Sequence, residues 1–276
     1  MKLNETQPNR LGCTTTHTRA PLFVLDSHSD PHFARWGQEH DTFHGECDLV
    51  LIHSEKFQGV GLDLHARTTI QDYFSYIETA ALSLGNDVVQ FYKTYFLVNG
   101  EKFHAEDLPM QFGNGYTISE TPVPESKRTE NRKDYSVDLN DGSQIRFRFY
   151  KQFLTMNVDG HPDHFEDAVG LLGEYTTGAM VGREGEAFDD FTDFGFEWQV
   201  RPDQDPELFA FQRSPQLPFE QCRMPTAARP ARRALRGDTA LLGKAQEACA
   251  HVPGSSYQLC IDDIMTTGDL GLADIW

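Results

Sequence analysis

Two glycine turns set between alternating apolar runs constrain this chain most. Phe96-Leu97-Val98 meets Asn99-Gly100 before Lys102-Phe103, and Tyr135, Val137 and Leu139 meet Asn140-Asp141-Gly142 before Ile145, Phe147 and Phe149. Asn-Gly between apolar runs is the strongest short-range signal for a β-hairpin. Around them the period-2 pattern continues. Leu49 to Ile52 is a continuous apolar run, and Val60, Leu62, Leu64 and Ala66 alternate with Gly61, Asp63, His65 and Arg67. That alternation puts the first set on a core and the second in water. Tyr73 to Leu84, Val88 to Tyr92 and Phe153 to Val158 add further β-branched and aromatic strands. Ten or so short strands, with no intervening helical periodicity, predict a mainly β chain folded as an antiparallel sandwich.

Past Val200 the pattern changes. Pro202, Pro206, Pro215, Pro218, Pro225 and Pro230 break up any strand, and Ala234 to Ala250 is rich in helix formers. Tyr257 to Met265 and Leu270 to Trp276 are shorter helical segments, the second capped by Asp269. The expected organisation is a polar N-terminal tether over 1–21, a β-sandwich over 22–201, and a Pro-rich linker with a helical extension over 202–276. So short an extension buries little apolar surface and would need Cys249 and Cys260 to stay folded.

The 42 acidic and 24 basic side chains give a formal net charge of −18, which disfavours nucleic acid and anionic membranes and favours divalent cations or basic proteins. No run approaches the roughly 18 apolar residues of a membrane span, so no direct membrane insertion is expected. The start, MKLNETQPNRLG, lacks the apolar core of a secretory leader. The five cysteines form no CxxC pair, and their odd number leaves at least one thiol, with Cys13 in the tether, to be accounted for. Asn4-Glu5-Thr6 is a glycosylation sequon, and Arg236-Gly237-Asp238 is a tripeptide of no greater specificity.

Two clusters carry potential chemistry. His28, His32, His40 and His44 include two pairs four residues apart, the spacing of a helical zinc site, and His28, His32 or His44 with Asp30 would be the ligands of a metal-dependent hydrolase. Asp30-Pro31 breaks a helix at the first pair, and Gly37 and Gly45 flank the second, so loop and strand histidines are expected instead. The segment Glu184 to Asp193 is dense in carboxylates, as hard cations require. Taken alone it reads better as a solvated acidic loop.

The order of motifs resembles von Willebrand factor type D domains. Ser29-Asp30-Pro31-His32-Phe33, Trp36 and Phe43-His44-Gly45-Glu46-Cys47-Asp48-Leu49-Val50-Leu51 are similar to the family's opening. Val169-Gly170-Leu171-Leu172-Gly173-Glu174-Tyr175 falls where the family has Cys-Gly-Leu-Cys-Gly-Asn-Phe. Phe188-Asp189-Asp190-Phe191 and Phe196-Glu197-Trp198-Gln199-Val200 resemble its closing acidic loop and Trp-x-Val strand. The likeness spans 26 to about 222, and Cys260 to Asp269 is similar to a helical segment that often follows.

The resemblance implies a non-catalytic, extracellular adhesion, matrix or mucus-like module that binds extracellular proteins or itself. It implies calcium held by Asp30, Glu174, Asp189 and Asp190, with Thr176 as a further oxygen. It also implies a Cys47 to Cys222 bridge, with Cys249 to Cys260 as the second pair. Val169 and Leu172 replace the two motif cysteines, which leaves Cys13 without its family partner and available to link chains. Some relatives cleave their own Asp-Pro bond, here Asp30-Pro31, where Ser29 departs from the family's Gly. A leaderless secreted module of this kind is expected to be a piece of a longer precursor.

Overall fold

The computed structural model describes residues 23–27, 31–38, 40–123, 131–211, 222–228, 238–254 and 256–276. Asn4, Cys13, His28, Asp30, Arg236 and Gly237 lie outside the described residues. The fold is mainly β, with antiparallel strands in two sheets and a small helical part at the C-terminal end.

The first sheet runs in the order β10-β11-β12-β13-β14-β1-β2-β3, where β1 is Phe23–Ser27, β2 Pro31–Ala34, β3 His40–Thr42, β10 Met110–Phe112, β11 Tyr116–Glu120, β12 Arg132–Asp138, β13 Gln144–Tyr150 and β14 Phe153–Asp159. The second runs β4-β5-β6-β7-β8-β9, with β4 Asp48–Ser54, β5 Leu62–Gln71, β6 Phe74–Leu84, β7 Asp87–Phe91, β8 Phe96–Val98 and β9 Glu101–Phe103. The expected turns are in place. Asn99 and Gly100 have φ of 52° and 83° and join β8 to β9, the pair of positive angles that a two-residue hairpin turn demands. Asn140 and Gly142, at 66° and 88°, reverse β12 into β13.

The sheets meet face to face through aromatic rings. Phe91 of β7 stacks on Phe147 of β13 with centroids 4.0 Å apart, and Tyr135 of β12 stands 5.9 Å from Phe91 and 6.1 Å from Phe96. Such contacts follow from the alternation, since Ile145, Phe147 and Phe149 are buried while Gln144, Arg146 and Arg148 face outward. One apolar cluster fills the space between the sheets.

Strands β1 and β2 do not announce themselves by alternation. Pairing makes them strands: β1 joins β14 to β2, with Leu25 opposite both Met156 and Phe33. A four-residue helix, α1 (Pro162–Phe165), follows β14, and α2 (Phe191–Glu197) begins at the end of the acidic segment. This corrects the expected ending. Phe196 to Val200 is the end of a helix followed by a single bridge, Gln199 to Leu49, and not a strand. The helix forms because the Asp190 carboxylate accepts from the Thr192 and Asp193 amides at 2.8 and 3.0 Å, capping its first turn.

The C-terminal part comprises α3 (Thr239–Ala248), a 3₁₀ turn at Cys249–His251, α4 (Ser256–Thr267) and a 3₁₀ helix at Leu270–Ile275 whose cap is Asp269. Asp238 caps α3 through the Leu241 amide. Cys249 is bonded to Cys260. The extension shares an apolar cluster with the sheets: Ala245, Ile261, Ile264, Met265 and Leu272 pack with Phe74 of β6, Tyr150 of β13 and Phe153 of β14. Polar bonds hold its end. Arg132 donates to the Asp274 carbonyl at 2.7 Å, Arg148 donates to that of Ile275, and Lys151 pairs with Asp269.

Candidate functional site

Motifs far apart in the sequence converge at the end of the sandwich where β2, β3, α2 and the chain between α1 and α2 meet. Phe33 of β2 lies 6.0 Å from the Phe191 ring of α2, and Phe43 lies 5.6 Å from Phe196. Gly195 lets α2 approach, since a Cβ there would stand 2.3 Å from the Phe43 ring. The opening stretch and the acidic segment are therefore neighbours.

Trp36, at the corner between β2 and β3, fastens the Gly-Leu-Leu-Gly loop. Its amide donates to the Leu172 carbonyl at 3.0 Å and its ring meets Tyr175 edge-on at 4.8 Å. Gln38 donates to the Thr177 carbonyl at 2.9 Å. The Arg35 guanidinium, held by Asp41 at 2.8 Å, donates to the Gly178 carbonyl. Gly178 itself has φ of +66°, and a Cβ would fall 2.0 Å from the Trp36 carbonyl oxygen. Alanine there forces both a left-handed backbone and a backbone clash. We expect Gly178→Ala to cost at least about 2 kcal/mol and to lower the melting temperature by several degrees in scanning calorimetry. An unchanged melting temperature would show that the loop is not seated on Trp36.

Val169 and Leu172, where type D domains carry cysteines, serve the core. Val169 bridges to His53, and Leu171 and Leu172 are fully buried, with amides donating to Val50 and Leu51 at 3.0 and 3.2 Å. Glu174 then turns back on its own loop. The Thr176 and Thr177 hydroxyls donate to its two carboxylate oxygens, and these bonds hold its pKa below the usual carboxylate value. From there the chain doubles back, with the Glu174 amide on the Ala179 carbonyl and the Phe188 amide on Met180.

Of the expected cation ligands, Glu174 and Thr176 thus touch each other. Asp190 is committed to its cap, and Asp189 is exposed beside it. No hydrogen bond joins the Glu174 pair to Asp189 or Asp190 among the described residues. Nor do three His, Cys, Asp or Glu side chains among them stand close enough to share a metal ion. The described donors alone do not make a calcium cage. Asp30, the proposed link, lies outside the described residues.

Arg183 is the residue that counting carboxylates overlooks. It immediately precedes the acidic run, and its guanidinium grips both oxygens of Asp205 at 2.6 and 3.0 Å and donates to the Gln199 carbonyl at 3.0 Å. It also lies 4.6 Å over the Trp198 ring, and Trp198 donates to the Val181 carbonyl at 3.2 Å. The only sequence signal for this was one cation among many anions. Its effect is to tie the two ends of the acidic segment together.

Cys47, at the start of β4, is bonded to Cys222 across 175 residues. The Glu46 amide donates to the Arg223 carbonyl at 2.8 Å, and the two side chains form an ion pair. The described histidines of the opening stretch, His32, His40 and His44, lie on strands or beside them, not on a helix face. His32 is buried, with Nδ1 3.1 Å from the Thr42 hydroxyl and Nε2 3.5 Å from the Asp263 carboxylate. The rings of His32 and His40 lie 6.1 and 6.2 Å from Trp276, so both belong to the seam with the extension, while His44 is half-buried beside Phe43 in sequence.

Compared with protein-family models and with curated proteins, the chain matches none.

Proposed function

We propose that this chain is a non-catalytic extracellular module of the von Willebrand factor type D kind, which serves in adhesion or matrix-like assembly through contacts with other extracellular proteins or with itself. The observation that carries this reading is spatial. Motifs far apart in sequence, from Pro31 to Phe43, Gly170 to Gly178 and Phe191 to Trp198, pack on one another beside the Cys47 to Cys222 bridge. Two disulfides suit an oxidising compartment. The charge of −18 suits cations and basic partner proteins.

Calcium belongs to the same proposal. Asp30, Glu174, Thr176, Asp189 and Asp190 are its proposed ligands, and Asp189 is the described carboxylate with no competing bond. Binding of calcium at a hundredfold excess over its dissociation constant stabilises a fold by about 2.7 kcal/mol. Chelation should then lower the melting temperature by roughly 5–10 °C, and Asp189→Asn should remove most of that response. A melting temperature indifferent to chelator sinks the calcium site. Elemental analysis separates the rival reading, because stoichiometric zinc would favour a metal-dependent hydrolase built on the His32 and His44 region. Intact mass of the unreduced protein reports in the same experiment on the Cys13 thiol and on a glycan at Asn4.

A further inference from the structure

The alternation along β5 places His65 on a water-facing surface, yet its side chain is 0% exposed. Residues 208–211 fold back over part of the outer face of the second sheet. Leu208 and Phe209 are buried against Ala81 and Val88, the Ala210 amide donates to Gln90 Oε1 at 3.0 Å, and the Arg67 guanidinium lies 4.3 Å over the Phe209 ring. Arg67 also donates to the Phe211 carbonyl at 2.7 Å. His65 stands opposite Ala81 in the β5–β6 ladder and so shares its face, under this cover.

Neither ring nitrogen of His65 has a hydrogen-bond partner among the described residues. Three carboxylates lie in its field, Asp63, Asp205 and Asp48. Each already has a cation of its own: Asp63 bonds His53 at 2.7 Å, Asp48 bonds Arg67 at 2.7 Å, and Asp205 bonds Arg183 at 2.6 Å. A proton on His65 would therefore be a buried charge without a partner.

We propose that Asp205 to Phe211 is an acid-released strap, opened by protonation of His65 beneath it. The inference is independent of calcium and of the type D reading. Burial holds the His65 pKa down at about 4, whereas a hydrated histidine titrates near 6.5. The closed strap is thus favoured fully above the ordinary value, and that advantage drains away as pH falls through the interval between the two. His53, held above its ordinary value by its bond to Asp63, is charged throughout that interval and adds repulsion. Opening uncovers Leu208 and Phe209 beside Phe211, which is already 61% exposed, so acid creates an apolar patch on an otherwise acidic protein.

Amide hydrogen exchange on the intact chain tests this. The protection factor of the Ala210 amide, corrected for intrinsic exchange, should fall about twentyfold from pH 7 to pH 5. It should stay flat in His65→Leu, and the Val89 amide in β7 should hold in both proteins. A flat wild-type profile, an equal fall in His65→Leu, or a parallel fall at Val89 would each overturn the proposal. Should His65→Leu not fold, Phe209→Ala serves. In that variant Ala210 is expected to be weakly protected at pH 7 and the His65 ring to titrate near its ordinary value by NMR, and an unmoved titration would overturn the idea.

Discussion

Replacing Cys47 with serine is expected to lower the melting temperature by roughly 10–20 °C. The bridge closes a loop of 175 residues, and the chain-entropy relation for a cross-link of that span gives about 5 kcal/mol. At roughly 2–4 °C per kcal/mol for a chain of this size, the shift is large. Both sulfurs are buried, so the serine hydroxyl and the orphaned Cys222 thiol gain no water in exchange. The backbone bond from Glu46 to Arg223 and their ion pair remain, and they set the floor of the effect. Scanning calorimetry of the oxidised protein beside the variant is the measurement. A shift of less than about 3 °C would mean that the Glu46 to Arg223 contacts hold the two segments together unaided.

Ending the chain after Ala228 is the second large perturbation, with an expected loss of roughly 5 kcal/mol or more. It keeps the Cys47 to Cys222 bridge but removes the helices that cover Phe74, Tyr150 and Phe153. Burial of each large apolar side chain is worth about 1.5–3 kcal/mol. It also strips His32 of Asp263, a carboxylate that is itself fully buried and anchored by the Trp276 indole at 3.1 Å. The truncated protein should melt well below the full chain and bind a hydrophobic dye at temperatures where the full chain does not. Unchanged melting would mean that the extension folds by itself and only rests on the sandwich.

The sandwich is legible in the sequence wherever one local rule suffices. Asn99-Gly100 and the Ile145-Phe147-Phe149 alternation each specify their own geometry, and the strands appear where expected. What fails is whatever a distant partner decides. β2 is a strand because β1 and β3 flank it, not because Pro31 and His32 favour one. α2 hides because its seven residues, FTDFGFE, hold three aromatics and a glycine; the Asp190 cap and contact with Phe43 make it a helix. His65 is the plainest instance, since a strap some 140 residues on turns a water-facing position into an interior one. At the candidate site, the acidic residues are visible as a run, but Arg183, which organises the run, is visible only once Asp205 and Trp198 surround it.

The Cys47 to Cys222 bridge has a mechanical side. Tension applied at the two ends of the chain passes through the sulfur–sulfur bond and never reaches the residues between them. However hard the module is pulled, the strands from β4 to β14 cannot be unravelled into the line of force. Only about a hundred residues lie outside that loop, and at about 3.5 Å per extended residue they limit the slack the module can give to roughly 350 Å. The bridge between Cys249 and Cys260 trims that slack further. Under load such a module behaves as a short tether around looped strands that force cannot draw out, unless a reductant reaches its buried sulfurs.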